Sequence, residues 1–291
     1  MRWNREHLAT LKAIIETGTF DAAARHLLIT ASAVSQRIRT LENQAGQVLI
    51  IRGTPCVATK AGLALLRLAK QIELSEAETM AVLEESRSTH TVSMAINADS
   101  MATWFARCLP DFAKLHPAAI DIHLEDQQHS AELLRTAQVM AAVTSDPHPV
   151  QGCSSQPLTV MRYVPAAQPS VVVRHTHNGK LDWGTLPVVH FNPKDAIQRD
   201  LLAQRDASPE TQHTVPSSEG FARAVLAGLG WGAMPLLQCQ KHFDSGRLVP
   251  LEPGLFVDVP LYWQRWKIES ELLDTAGQIV QRWAHVASSK G

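Results

Sequence analysis

The sequence contains no uncharged apolar run of membrane length. Its longest stretch without a charged side chain, residues 224–240, includes Gly228, Gly230, Gly232, Pro235 and two glutamines, and it falls short of the ~20 apolar residues a bilayer requires. No membrane span or membrane partner is expected. The opening residues, Met1 to His7, lack the apolar core of a secretory signal, so a cytoplasmic, nucleoid-associated protein is expected. Cysteine is scarce. Cys56, Cys108, Cys153 and Cys239 lie far apart with no C-x-x-C pair, which predicts neither a zinc cluster nor a disulfide framework. Among the thirteen histidines only His175 and His177 are close, beside a loop at Asn178-Gly179, and no metal site is predicted. There is no G-x-S-x-G, P-loop or dinucleotide fingerprint, no nucleophile–base constellation, no internal repeat and no low-complexity tract. Neither an enzyme nor a cofactor is expected.

What is present is length and apolar mass. The 291 residues, 45% hydrophobic and 19% charged, suit two or three globular domains. The formal net charge of −1 conceals an asymmetry, because residues 1–60 carry eight basic and four acidic side chains. That segment is +4 and the remainder −5. A basic module on an acidic protein matches the need of phosphate binding.

Periodicity within that module is more informative. Leu8, Leu11 and Ile15 mark a helix that Gly18 ends. A second helix is predicted over Asp21–Leu27, and a third, with Ser32 as N-cap, runs to about Ala45. On the third helix Val34, Ile38, Leu41 and Ala45 share one face, while Ser32, Ser35, Gln36, Arg39 and Asn43 share the other. Such a helix offers one stripe to a core and another to base edges and phosphates, as a recognition helix does. Val48–Arg52 and Cys56–Ala58 read as paired strands around Gly53-Thr54-Pro55, making a wing with Arg52 placed for backbone or minor groove. The predicted DNA-contacting set is Ser32, Ser35, Gln36, Arg37, Arg39, Thr40, Asn43 and Arg52.

These residues carry a family resemblance. Phe20-Asp21-Ala22-Ala23-Ala24, Leu27, Ser32-Ala33-Val34-Ser35-Gln36-Arg37-Ile38, Leu41-Glu42, Gly46, Leu49, Arg52 and Thr59-Lys60-Ala61-Gly62 resemble the winged helix-turn-helix of LysR-type transcriptional regulators. Two departures are Thr30-Ala31, where many members have Gln-Pro, and Ile50-Ile51, where most have Phe and an acid. From Thr59 an unbroken helix to about Glu85 carries Leu65, Leu66, Leu68, Ala69, Ile72, Ala77, Met80 and Leu83. It is too long and one-sided to stand alone, and the resemblance implies a linker helix that pairs with its partner's.

Beyond Thr91 short apolar strands alternate with helices: strands 91–96, 120–125 and 140–144, helices 100–115 and 131–136, then a second set over 165–262. The alternation predicts α/β units with a largely parallel sheet and ligands at strand carboxyl ends. Trp104, Trp231, Trp263 and Trp266 read as core or cleft wall. The resemblance implies a two-lobed, periplasmic-binding-protein-like effector domain. The full expectation is an α+β winged helix-turn-helix domain (1–58), a linker helix (59–89) and an α/β effector domain (90–291). Its lobe I covers about 90–163 and 264–291, and its lobe II about 164–263.

Phrases such as Ala95-Ile96-Asn97-Ala98-Asp99-Ser100, Phe191-Asn192-Pro193-Lys194-Asp195, Pro216-Ser217-Ser218-Glu219-Gly220-Phe221 and Tyr262-Trp263-Gln264-Arg265-Trp266 resemble the ArgP/LysG branch, whose members regulate export of lysine and arginine. The resemblance implies promoter DNA, a lysine or arginine effector, RNA polymerase and a homodimer or homotetramer as partners. A basic amino acid needs N–H donors for its carboxylate and carboxylates for its cations. Asp99, Ser100, Glu125, Thr144, Ser218 and Glu219 are the candidates for that site, with Asp126 and Asp146 behind them. Asp99, Ser217 and Ser218 equally suit helix caps, and Glu219 suits a first helical turn.

Overall fold

The computed structural model describes residues 2–82, 91–115, 118–125, 130–193 and 196–288. The N-terminal module forms as its local signals dictate. Helix α1 (Arg5–Thr17) starts where the Asn4 side chain accepts from the Glu6 amide at 2.8 Å and stops where Gly18 turns left-handed at φ 80°. Thr19 caps α2 (Phe20–Leu27). Helix α3 (Ala31–Ala45) is capped by Thr30, whose Oγ1 accepts from the Ala33 amide at 3.2 Å, rather than by Ser32 as expected. Ser32 is instead an exposed first-turn residue sharing a 2.9 Å hydroxyl hydrogen bond with Thr30. Val34, Ile38 and Leu41 are buried with Leu8, Leu11 and Ile14 in one apolar cluster. The wing strands β1 (Ile50–Ile51) and β2 (Val57–Ala58) pair antiparallel, Ile50 opposite Ala58. Glu42 fixes the wing to α3 by accepting from the Leu49 amide at 2.9 Å.

Helix α4 (Lys60–Val82) is the linker, and the end expected near Glu85, with Leu83, lies outside the described residues. The expected apolar stripe is partly consumed within the chain. Leu65 and Ala69 are buried in the N-terminal core, whereas Leu66 and Leu74 are buried in the core of the C-terminal domain. The helix is bound to α1 by Lys12–Glu73 at 2.5 Å, Arg5–Glu76 at 2.7 Å and Lys70–Glu16 at 3.3 Å.

The C-terminal domain begins with β3 (Thr91–Ile96) and the short α5 (Ala98–Ala102). The single helix expected over 100–115 is broken. Thr103 leaves helical geometry, a 3-10 turn spans Phe105–Cys108, α6 covers Leu109–Phe112 and another 3-10 turn follows. The break turns Trp104 and Phe105 inward together, rings 5.6 Å apart and both buried. Next come β4 (Ala119–Leu124), α7 (Ser130–Arg135), β5 (Ala141–Thr144) and β6 (Cys153–Ala167). After them run α8 (Pro169–Arg174), β7 (Thr176–His177), β8 (Lys180–Leu181), β9 (Val188–His190) and α9 (Ala196–Ala203). The chain continues through β10 (Gln212–Thr214), α10 (Ser218–Leu226), β11 (Gly232–Pro235) and α11 (Leu236–Asp244). It closes with β12 (Val249–Pro250), β13 (Val257–Trp266) and α12 (Glu271–Ser288).

The main sheet runs β11-β6-β13-β5-β3-β4, with β12 also on β6. It is mixed rather than largely parallel: β3 is parallel to β4 and β5, while β13 is antiparallel to β5 and β6. The long strand β6 has no counterpart among the expected elements, because Pro157 and Pro165 break its pattern. The ladder tolerates Pro157 through a register shift opposite Leu261/Tyr262. Strands β9 and β10 form a separate parallel pair. Trp104, Trp231, Trp263 and Trp266 are all at most 2% exposed, in keeping with their expected place in the core.

Gly62 enters α4 where the helix crosses the wing. A methyl there would run into the Leu49 carbonyl oxygen and lie 3.2 Å from the Ala58 Cβ. Ala in place of Gly ordinarily favours a helix interior by about 1 kcal/mol. Here the sign inverts. Gly62→Ala is expected to lose roughly 1–3 kcal/mol in thermal unfolding, and an increase in melting temperature would contradict this packing.

Candidate functional site

Two surfaces gather the predicted residues. The first is the outer face of α3. Ser32, Gln36, Arg39, Thr40 and Asn43 are exposed and Ser35 is half-buried. Some of these side chains are already engaged: the Thr40 hydroxyl donates to the Gln36 carbonyl at 2.9 Å, and Arg37 pairs with Glu6 at 2.6 Å. Arg37 therefore ties α3 to α1. Gln36, Arg39 and Asn43, spaced three and four residues apart, present one polar stripe. Arg52 on the wing is exposed with its guanidinium 4.9 Å from the Phe20 ring centroid, a cation–π contact that holds it beside α2.

The second surface is a cleft of ≈ 760 Å³ in the C-terminal domain, within the roughly 300–1,000 Å³ of small-molecule sites. One wall is the β3–α5 junction with Leu124 and Glu125, and the other is Phe191–Pro193, Ala196–Gln198 and Pro216–Glu219. Tyr163 of β6 lies between them.

Asp99 joins the two walls. Its Oδ1 accepts from the Ser218 hydroxyl at 2.7 Å and its Oδ2 from the Tyr163 hydroxyl at 2.9 Å. Asp99 does not cap α5; that position is taken by Asn97, whose Oδ1 accepts from the Ser100 amide at 2.6 Å. Ser217 likewise caps α10, accepting from the Gly220 amide at 3.2 Å, which leaves Ser218 to face Asp99. Glu125 and Glu219 also line the cleft, and Glu219 pairs with Arg223 at 2.5 Å on the exposed surface.

Two of the sequence candidates do not reach the wall. Ser100, within α5, is fully buried with its Oγ unpartnered, and Thr144 is fully buried on β5, its Oγ1 accepting from the Asp146 amide at 3.2 Å. Both lie at the strand-end level, but neither lines the cleft. Asp146 is also absent from the wall, and the backbone amide of His148 holds its carboxyl below the usual carboxylate range. Asp126 lies outside the described residues.

Sequence reasoning missed Tyr163 and Gln198. Tyr163 sits in the unrecognised strand β6, and Gln198 gives no signal of its own in an ordinary helical segment. Three acids, Asp99, Glu125 and Glu219, line the cleft, and no Lys, Arg or His does so among the described residues. Burial pushes the thiols of Cys108 and Cys239 up to about 12, so neither is a thiolate at neutral pH. Among the described residues no group of three or more His, Cys, Asp or Glu could hold a metal ion, and no helix is long and apolar enough to cross a membrane.

Comparison with known proteins places this architecture. Residues 5–63 match the bacterial regulatory helix-turn-helix protein family of the lysR type, and residues 85–284 match the LysR substrate binding domain. The lysine export transcriptional regulatory protein LysG of Corynebacterium efficiens is 42% identical over 273 residues, covering 93% of this chain and 94% of that protein. Full-length LysG of Corynebacterium glutamicum, solved with bound effector arginine, superimposes with a TM-score of 0.85 at 38% identity, covering 98% of this chain and 99% of that one. ArgP of Mycobacterium tuberculosis superimposes with a TM-score of 0.87 at 42% identity, covering 97% and 98%. With both domains matched along most of its length, the chain belongs to the LysR family of helix-turn-helix transcriptional regulators.

Proposed function

We propose that this regulator senses lysine or arginine in the C-terminal cleft and controls, by activation, transcription of a gene for export of basic amino acids. The observation that carries the reading is electrostatic. The described cleft wall bears the carboxylates of Asp99, Glu125 and Glu219, the last paired outside the wall with Arg223, and no Lys, Arg or His lines it; carboxylates are the partners that a cation with several N–H donors requires. The names of the relatives, with their lysine export and bound arginine, support the same choice.

In this reading the α-carboxylate of the effector meets the Ser218 and Glu219 N–H groups at the start of α10, which no helical carbonyl can satisfy, while Ser217 takes that of Gly220. Its α-ammonium meets Asp99, exchanging the Ser218 and Tyr163 hydroxyls for a charged donor. Glu125 and Glu219 contribute to the negative field. Ser100 and Thr144 act from behind the wall rather than on it. Tyr163, at the expected boundary of the first lobe, pairs with Val257 in the β6–β13 ladder, whereas Gln264 pairs with Ser155 well inside that lobe. We therefore assign the second crossing to the start of β13 rather than to residue 264, and a ligand held by both walls biases the relative position of the lobes. On the DNA side we assign base-edge contacts to Gln36, Arg39 and Asn43, phosphate contacts to Ser32, Ser35, Thr40 and Arg52, and a positioning role to Arg37. The protein works in the cytoplasm on promoter DNA as a homodimer or homotetramer, with RNA polymerase as the downstream partner.

Two variants test the two surfaces separately. Asp99→Asn keeps the side-chain shape and removes the charge. It is expected to weaken arginine or lysine binding by about 10- to 100-fold, the worth of a hydrogen bond to a charged group, and to abolish the transcriptional response while footprinting shows operator binding unchanged. Loss of operator binding in this variant would contradict the assignment. Arg39→Ala is expected to cost operator affinity by roughly 1–3 kcal/mol and to leave calorimetric effector binding as in the wild type. An operator affinity equal to wild type would remove Arg39 from the interface.

A further inference from the structure

Gln198, the third residue of α9, is 2% exposed and lines the cleft. Its Nε2 donates to the Val189 carbonyl at 3.2 Å. Only the amide nitrogen can make that bond, so the orientation of the group is fixed and Oε1 is turned away from β9. That oxygen is buried and has no hydrogen-bond partner. Buried polar atoms in folded proteins are paired with few exceptions, and an exception on the wall of a ligand cleft has a ready explanation in the ligand. An unpaired acceptor is a cost to the empty protein that a donor in the cleft removes.

We infer that Gln198 Oε1 is an acceptor for the side-chain nitrogen of the bound basic amino acid, and that it sets selectivity for a long cationic side chain. The inference rests on the proposed reading of the cleft. There the α-ammonium and α-carboxylate are held at Asp99 and the first turn of α10, groups within one residue of each other through the 2.7 Å Ser218–Asp99 bond. The side chain must then extend along the remaining wall, where Phe191 and Ile197 supply apolar surface for its methylenes and Gln198 supplies the buried acceptor. A neutral acceptor suits this position, because a carboxylate in the same buried place would carry a large desolvation penalty in the empty protein. A side chain that ends in a methyl group leaves Oε1 unpaired, and selectivity against it follows from that asymmetry.

The test uses the full-length chain and calorimetric titration with arginine and lysine, together with norleucine, which has the length of lysine without its terminal nitrogen, measured by competition. Gln198→Met keeps length and apolar contact but removes the acceptor. It is expected to weaken binding of the basic amino acid by about 10- to 100-fold and to leave norleucine affinity unchanged, while the melting temperature of the ligand-free protein falls because the buried Val189 carbonyl loses its donor. Gln198→Glu, whose carboxyl in its protonated form donates to the Val189 carbonyl and keeps an acceptor oxygen on the other side, is expected to bind arginine about ten-fold more tightly than Gln198→Met. Wild-type arginine affinity in Gln198→Met would overturn the inference, as would an equal loss of norleucine and arginine, or equal losses in both variants. If the wild-type protein binds neither arginine nor lysine, the reading of the cleft fails and the inference falls with it, a result distinct from failure of the variants alone.

Discussion

The carboxylate of Asp99 is the constraint on which the effector domain turns. It follows β3 at the start of α5 and accepts from Ser218, which opens α10 on the opposite wall 119 residues later, and from Tyr163 on β6. One acidic group thus holds three parts of the chain together through two neutral hydroxyl donors. In the proposed reading a basic ligand exchanges with these hydroxyls, because neutral donors are weaker partners for a carboxylate than an ammonium or guanidinium. On that proposal the free energy of the exchange biases the two walls of the cleft, which makes it a sensor as well as a receptor.

A second shared element joins the two domains. Helix α4 contributes Leu65 and Ala69 to the core beneath the recognition helix, and Leu66 and Leu74 to the core of the effector domain. Three ion pairs bind it to α1. At its far end Glu78 accepts from the Ser270 hydroxyl at 2.6 Å and the Leu272 amide at 3.3 Å, next to the start of α12. One helix is thus packed into both cores. Gly62 is the point at which this helix passes closest to the wing.

The parts of this structure legible in the sequence are those set by local chemistry. Helix α1 ends at Gly18 because glycine takes the left-handed turn cheaply, and the buried stripe of α3 follows from period 3.6. Asp99, Glu125, Ser218 and Glu219 were readable as polar residues at strand ends and helix starts, and all four line the cleft. Ser100 and Thr144 satisfied the same rule yet lie behind the wall, because strand-end position does not say which way a buried side chain points. Thr30 and Asn97 took cap positions that Ser32 and Asp99 could equally have filled, a choice decided by where the chain leaves extended geometry. Strand β6 escaped notice through its prolines, and Tyr163 with it. Gln198 became significant only through a non-local bond to Val189.

The most direct test of the sensor account is calorimetric titration of the wild-type, full-length protein with arginine, lysine, leucine and glutamate under one set of conditions. An acid-lined cleft closed by Asp99 predicts saturable binding of arginine, lysine or both, and no binding of leucine or glutamate. Binding of leucine or glutamate, or binding of none of the four by a folded protein that still occupies its operator, would contradict it.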